Sequence, residues 1–172
     1  MADVAEGLVP PPAVDQTGNL TIWWVPAIAN VLAPSASTEI GGAGAFRLTY
    51  SFTEDGWDFD ASQEKIKDPR LTLKQPLEAL GTSPVSLKTL KYVESTQAGS
   101  ANVVLTEGLS GFFVERSSVP NATLAAEAQK VRVIPVTLGK QLPGPRNGQG
   151  KFTILQEAAV TGVVGGPVAL AA

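Results

Sequence analysis

The chain has 172 residues, 44% of them hydrophobic and 17% charged, with a net charge of −3. That composition predicts one folded domain, and the low charge, against roughly 25% in an average soluble domain, predicts a surface partly covered by other chains. His and Cys are both absent, which excludes Ser-His-Asp triads, His-ligated metals, thiol nucleophiles, disulfides and thiolate clusters. The acidic balance is no profile for gripping phosphates.

The opening residues lack a basic region and a long apolar run, so no signal peptide is predicted. No apolar stretch is long enough to predict insertion into a membrane. Residues 1–20 read as an arm, because Pro10, Pro11 and Pro12 favour an extended chain. A disordered terminus is the other reading. Thr21 to Val31 is densely apolar, and Pro26 points to an edge strand or an extended segment laid across a sheet. Trp23 and Trp24 face opposite ways on a strand. Either one anchors a subunit interface, or both are buried by the chain's own loops. Residues 33–45 are small and flexible, which predicts a linker or loop.

The clearest strand pattern follows. Phe46, Leu48, Tyr50 and Phe52 alternate with Arg47, Thr49, Ser51 and Thr53. Period two predicts one strand over 46–53 with an apolar and a polar face. Further strands are predicted at Arg70–Lys74, Val85–Glu94, Asn102–Glu107, Gly111–Ser117, Lys130–Leu138 and Lys151–Glu157. Turn residues punctuate them, among them Gly81, Gly108 and Asn147-Gly148. At Ile134-Pro135 the apolar phase slips, which predicts a bulge or an edge. Helix is scarce. A single turn is predicted at Pro76–Leu80, and Asn121 is a candidate cap for Ala122–Ala128. Residues 158–172 carry no charge and read as an arm added to a neighbouring subunit, or as a disordered tail. The domain itself spans 21–157. Many short strands and little helix make the chain all-β, a β-sandwich or barrel.

Charge is lopsided. Residues 1–68 hold ten acids and three bases, a balance of −7, and residues 69–172 hold six acids and ten bases, a balance of +4. If the fold separates these halves, subunits have complementary ends for head-to-tail stacking. The other reading is a mixed surface.

Enzyme chemistry has little to stand on. Asp58, Asp60, Ser62 and Glu64 sit at alternate positions, as at the start of a Ca²⁺ loop, but the sixth-position Gly is missing and Pro69 stands where the bidentate Glu belongs. A solvated acidic loop is the stronger reading. No dinucleotide fingerprint or phosphate loop occurs. No cofactor is expected.

One ordered set of motifs resembles a known family. The linker ending Pro34-Ser-Ala-Ser-Thr-Glu39-Ile40 leads into Leu48-Thr-Tyr-Ser-Phe-Thr-Glu-Asp-Gly56-Trp57, then Gln63-Glu-Lys-Ile-Lys-Asp68-Pro-Arg70-Leu71. Leu90-Lys-Tyr92-Val, Leu105-Thr-Glu-Gly108-Leu-Ser-Gly111-Phe-Phe-Val114-Glu-Arg116 and Gln129-Lys-Val-Arg-Val-Ile-Pro135-Val-Thr-Leu-Gly139 follow. Over about 20–157 this resembles the major tail tube proteins of long-tailed, non-contractile bacteriophages, particularly those of actinobacteria.

The resemblance implies a β-sandwich or half-barrel protomer with terminal arms. Six protomers form a ring whose inner sheets join into one barrel, and rings stack into a tube. The implied partners are further copies of the chain, the tape measure protein, the tail terminator and distal tail or baseplate proteins. Double-stranded DNA passes through transiently. The implied place is the virion tail, assembled in the host cytoplasm. A loop at about 53–70 is expected to touch the adjacent ring, with Glu54, Asp55, Trp57, Asp58, Asp60, Glu64 and Asp68 as candidates. Arg47, Thr49, Ser51 and Thr53 are candidates for the lumen face, and Trp23, Trp24 and Trp57 for subunit interfaces. The rival readings are a capsid decoration or head–tail connector subunit, and then a carbohydrate-binding module.

Overall fold

In a computed structural model of the chain, residues 12–72, 74–146 and 150–172 are described. The Asn147-Gly148 turn and most of the 1–20 arm lie outside them. Strand accounts for 39% and helix for 8%, so the all-β reading holds.

The body is one antiparallel sheet. Its strands are β1 (Leu20–Val25), β2 (Phe46–Arg47), β7 (Leu90–Val93), β8 (Ser110–Ser117), β9 (Lys130–Pro143) and β10 (Thr153–Val160), with β11 (Val168–Ala169) on β9. The order is β2-β1-β8-β9-β10-β7. The sheet curls into a half-barrel. The segment 46–56 runs from one margin of the sheet to the other. It pairs with β1 through β2, then bridges β7 at Phe52–Tyr92. The Thr53 amide donates to the Lys91 carbonyl (3.0 Å), and the Lys91 amide donates to Gly56 (3.1 Å). Gly56 is required here, because a Cβ would land on the Lys91 carbonyl oxygen.

Segment 46–53 is therefore not one strand, as the alternation predicts. A two-residue strand gives way to a 3₁₀ turn at Thr49–Ser51. The hydroxyls explain it. Thr49 Oγ1 accepts from the Ile22 amide (2.9 Å), and Ser51 Oγ accepts from the Ala101 amide (3.2 Å). Such side-chain bonds compete with a ladder.

Both faces of the sheet are covered. Inside the curl lie Ile22, Trp24, Leu48, Leu90, Tyr92, Phe113, Ile134, Val136 and Leu138. On the outer face Trp23, Val25, Val114, Val131 and Val133 meet Ile28, Ile40 and Leu170. The phase slip at Ile134-Pro135 is thus a change of covered face and not a bulge. Pairing of β9 with β8 runs through it without a shift. The bulge lies further on, where the β9–β10 register shifts between Gln156 and Ala158. It lets β9 run past the expected Leu138 to Pro143.

The predicted linker 33–45 is a flap over the outer core. Ser35 caps a π-helical turn at Ala36–Ile40, and Glu39 accepts from the amides of Ala29 (2.6 Å) and Ser35 (2.7 Å). The C-terminal segment is neither a free tail nor an arm held away from its own chain. Residues 158–160 complete β10, and β11 lies on β9. Leu170 is 2% exposed, and the amide of Ala36 donates to Ala171 (2.9 Å).

Four more expectations fail. Asn102–Glu107 is no strand; α1 is a single turn at Ala101–Val104. The buried amides explain it, since Gln141 Nε2 donates to the carbonyls of Asn102 (3.1 Å) and Leu105 (2.9 Å). Residues 122–128 form no helix, because their carbonyls are taken by Arg116 from outside. Residues 70–72 and 74 form no strand, and Pro76–Leu80 no helical turn. Leu77–Leu80 pairs with Lys65–Asp68 instead.

Candidate functional site

The feature that leaves the body is a two-stranded ribbon. β3 (Phe59–Ala61) pairs with β6 (Val85–Leu87), and β4 (Lys65–Asp68) with β5 (Leu77–Leu80). Ser62 to Pro84 (3.3 Å) and Glu64 to Thr82 (2.9 Å) backbone bonds join the two pairs into one hairpin. The expected loop at 53–70 is the turn and outgoing strand of this ribbon. The return strand, 77–87, was not legible as its partner.

Beyond its base the ribbon is exposed. Paired residues share a face, so Ile66, Ala79 and Leu77 lie together, with Lys65, Lys67, Glu78 and Leu80 opposite. Ile66 is 52% exposed, Leu77 55%, Leu80 73% and Leu71, at the tip, 94%. The protomer thus leaves four large apolar side chains of one hairpin in water.

At the root, Trp57 Nε1 donates to Glu115 Oε2 (2.7 Å), and its ring packs on Phe113 (5.1 Å between centroids), Phe52 (5.4 Å) and Phe59 (5.8 Å). Trp57 is a half-buried anchor of the ribbon. Asp58 pairs with Lys88, and Asp55 with Lys91 at 2.7 Å. The Lys88 ammonium and the Phe59 amide hold the Asp58 carboxyl below its ordinary range; Lys91 and the Thr53 hydroxyl do the same for Asp55. Glu64 accepts from the Thr82 hydroxyl (3.0 Å), and Asp68 pairs with Arg70 (2.8 Å). Glu54 and Asp60 are exposed, in the turn and on β3. These acids do not converge on one point. Among the described residues no group of three or more acids is placed to hold a metal ion.

The remaining candidates are held by contacts within the protomer. Trp23 and Trp24 are 3% and 1% exposed, one in each core, so the reading in which the chain buries both describes the protomer. Arg47 donates to the Asn121 carbonyl (2.9 Å) and lies over the Trp23 ring (5.3 Å). Thr53 donates to Asp55 (2.8 Å). With Thr49 and Ser51 tied to the backbone as above, the four lumen candidates have their polar groups bonded within the protomer.

A family model described as phage tail tube protein matches residues 9–172. The chain belongs to the phage tail tube protein family. No curated protein matches it. Phage tail tube proteins are structural, self-assembling components of the virion tail. The decoration, connector and carbohydrate-module readings are set aside. The opposed charges of the two sequence halves also find their place. Lys91 with Asp55, Lys88 with Asp58 and Glu78 with Lys65 each join residues from both halves within one tail tube subunit. The fold interleaves the halves rather than setting them at opposite ends. No helix among the described residues is long and apolar enough to cross a membrane.

Proposed function

We propose that this chain is the repeating subunit of the tail tube of a long-tailed, non-contractile phage of the kind that infects actinobacteria. Six copies close a ring, their inner sheets form one barrel, and rings stack through the ribbon. The lumen holds the tape measure protein during assembly and passes double-stranded DNA on ejection. Tail terminator and distal tail or baseplate proteins close the two ends. Assembly takes place in the host cytoplasm.

The observation that carries this reading is the exposed ribbon on a half-barrel whose two faces are already filled. Apolar side chains that the protomer leaves in water, on a segment projecting from a packed body, are explained by burial against another copy. A ring–ring contact of this type is heterologous, so it repeats without closing.

Electron microscopy of the purified protein over a concentration series tests the reading. Hollow tubes built of six-fold rings are expected. A discrete trimer or twelve-fold ring overturns it.

A further inference from the structure

We propose that Leu71, at the ribbon tip, seats in the cavity at the ribbon root of a second copy of this chain. The proposal rests on the tube reading above and deepens it, by naming the receptor of the ring–ring contact.

The cavity lies where the ribbon leaves the body and measures about 300 Å³. Val14, Leu20, Trp57 and Phe59 give it apolar walls. Asp15, Asp58 and Glu115 line it with carboxylates, and no base lines it among the described residues. Asp58 is paired with Lys88, and Glu115 accepts from the Trp57 indole. Asp15 enters no ion pair among the described residues.

The tip is the counterpart of this cavity. Leu71 is 94% exposed. From 65 to 74, Lys65, Lys67, Arg70 and Lys74 stand against a single acid, Asp68. The tip is thus an aliphatic knob among bases, and the cavity an apolar hole among acids. Opposite potentials on two such surfaces select the pairing and its orientation. Thr72, next to the knob, has φ of +72°, a left-handed value that is an outlier for a β-branched residue. The turn holds Leu71 out against its local preference, where the side chain touches little of its own protomer.

Knob and hole cannot meet within one chain. They sit at opposite ends of two paired strands, which advance about 3.3 Å per residue and do not fold back. The occupant of the cavity is therefore the tip of another copy. A contact that joins tip to root is head-to-tail and repeats without closing.

The chain has no Cys, so introduced thiols report the contact alone. Val14→Cys and Leu71→Cys chains are mixed, grown into tubes and bridged with a short bismaleimide, and mass spectrometry of the digest reads the links. Links between 14 and 71 are expected to outnumber 14–14 and 71–71 links. In parallel, Leu71→Asp sets a carboxylate against Asp15. It leaves the melting temperature unchanged and raises the critical concentration for tube growth at least about tenfold, the order expected when a central contact side chain is lost. Wild-type tubes together with absent 14–71 links, or growth of Leu71→Asp at the wild-type concentration, overturn the proposal and leave the tube reading standing. A wild type that makes no tubes overturns the tube reading, and the proposal falls with it.

Discussion

At the scale of single residues, buried polar groups decide the local shape. The Tyr92 hydroxyl donates to Gln156 Oε1 (2.9 Å) and accepts from Gln141 (3.0 Å). Gln156 in turn donates to the carbonyls of Leu105 and Gly139, both at 2.9 Å. This network ties α1 to the bulge. Tyr92→Phe orphans the Gln156 oxygen and lowers stability by about 1–3 kcal/mol in urea titration. Burial also pushes the Tyr92 phenol up to about 12 from 10.0. Between those values the unfolded chain loses a proton that the folded chain keeps. Stability therefore falls as pH rises from 10 to 12, by up to roughly 1.4 kcal/mol per pH unit from this group. Denaturation across that range shows a shallower decline in the Phe variant; equal slopes refute the assignment. Such roles were barely legible. The opposite facing of Trp23 and Trp24 follows from strand alternation alone. A buried Arg116 looks, between Glu115 and Ser117, like any surface arginine.

At the scale of elements, long alternating strands were legible and short pieces were not. Ser110–Ser117 departs by one residue from its expected start, because a one-sided pattern matches real burial on the sheet. The ribbon escaped because both its faces meet water, leaving no hydrophobic period to read. Deleting 54–68 would remove Gly56 and Trp57, the closure and the root, and unfold the subunit. Replacing 62–84 with Asn-Gly joins Ala61 and Val85, already paired, by a two-residue turn. That variant keeps its melting temperature within about 3 °C, the effect of roughly 1 kcal/mol in a chain this size. It forms no tubes. Tubes of normal length from it would remove the ribbon from the ring–ring contact.

At the scale of the whole molecule, β1, β8 and β9 are walls of both cores. Trp24 reports on one core and Trp23 on the other. Neither core survives loss of the shared strands, so tryptophan fluorescence and far-ultraviolet dichroism unfold together in one transition. Separate midpoints would show that the outer flap melts on its own. The two-core plan was hidden in the sequence because β1 reads as a plain apolar run. Its meaning appears only when the flap and the C-terminal segment are seen to cover the outer face. The charge polarity misled for a related reason, since cross-strand pairing mixes distant parts of the chain.

The rooting of the ribbon has a mechanical consequence. Nine steps from Phe59 to Asp68, at about 3.3 Å each, carry the far end of its paired strands some 30 Å from the root. Two hydrogen-bonded strands behave as a stiff lever, not a tether. A sideways load on Leu71 arrives at the root as torque on Trp57, Gly56 and Lys91, where the two margins of the curled sheet are joined. Bending at the tip is thereby converted into a change of curvature in the body.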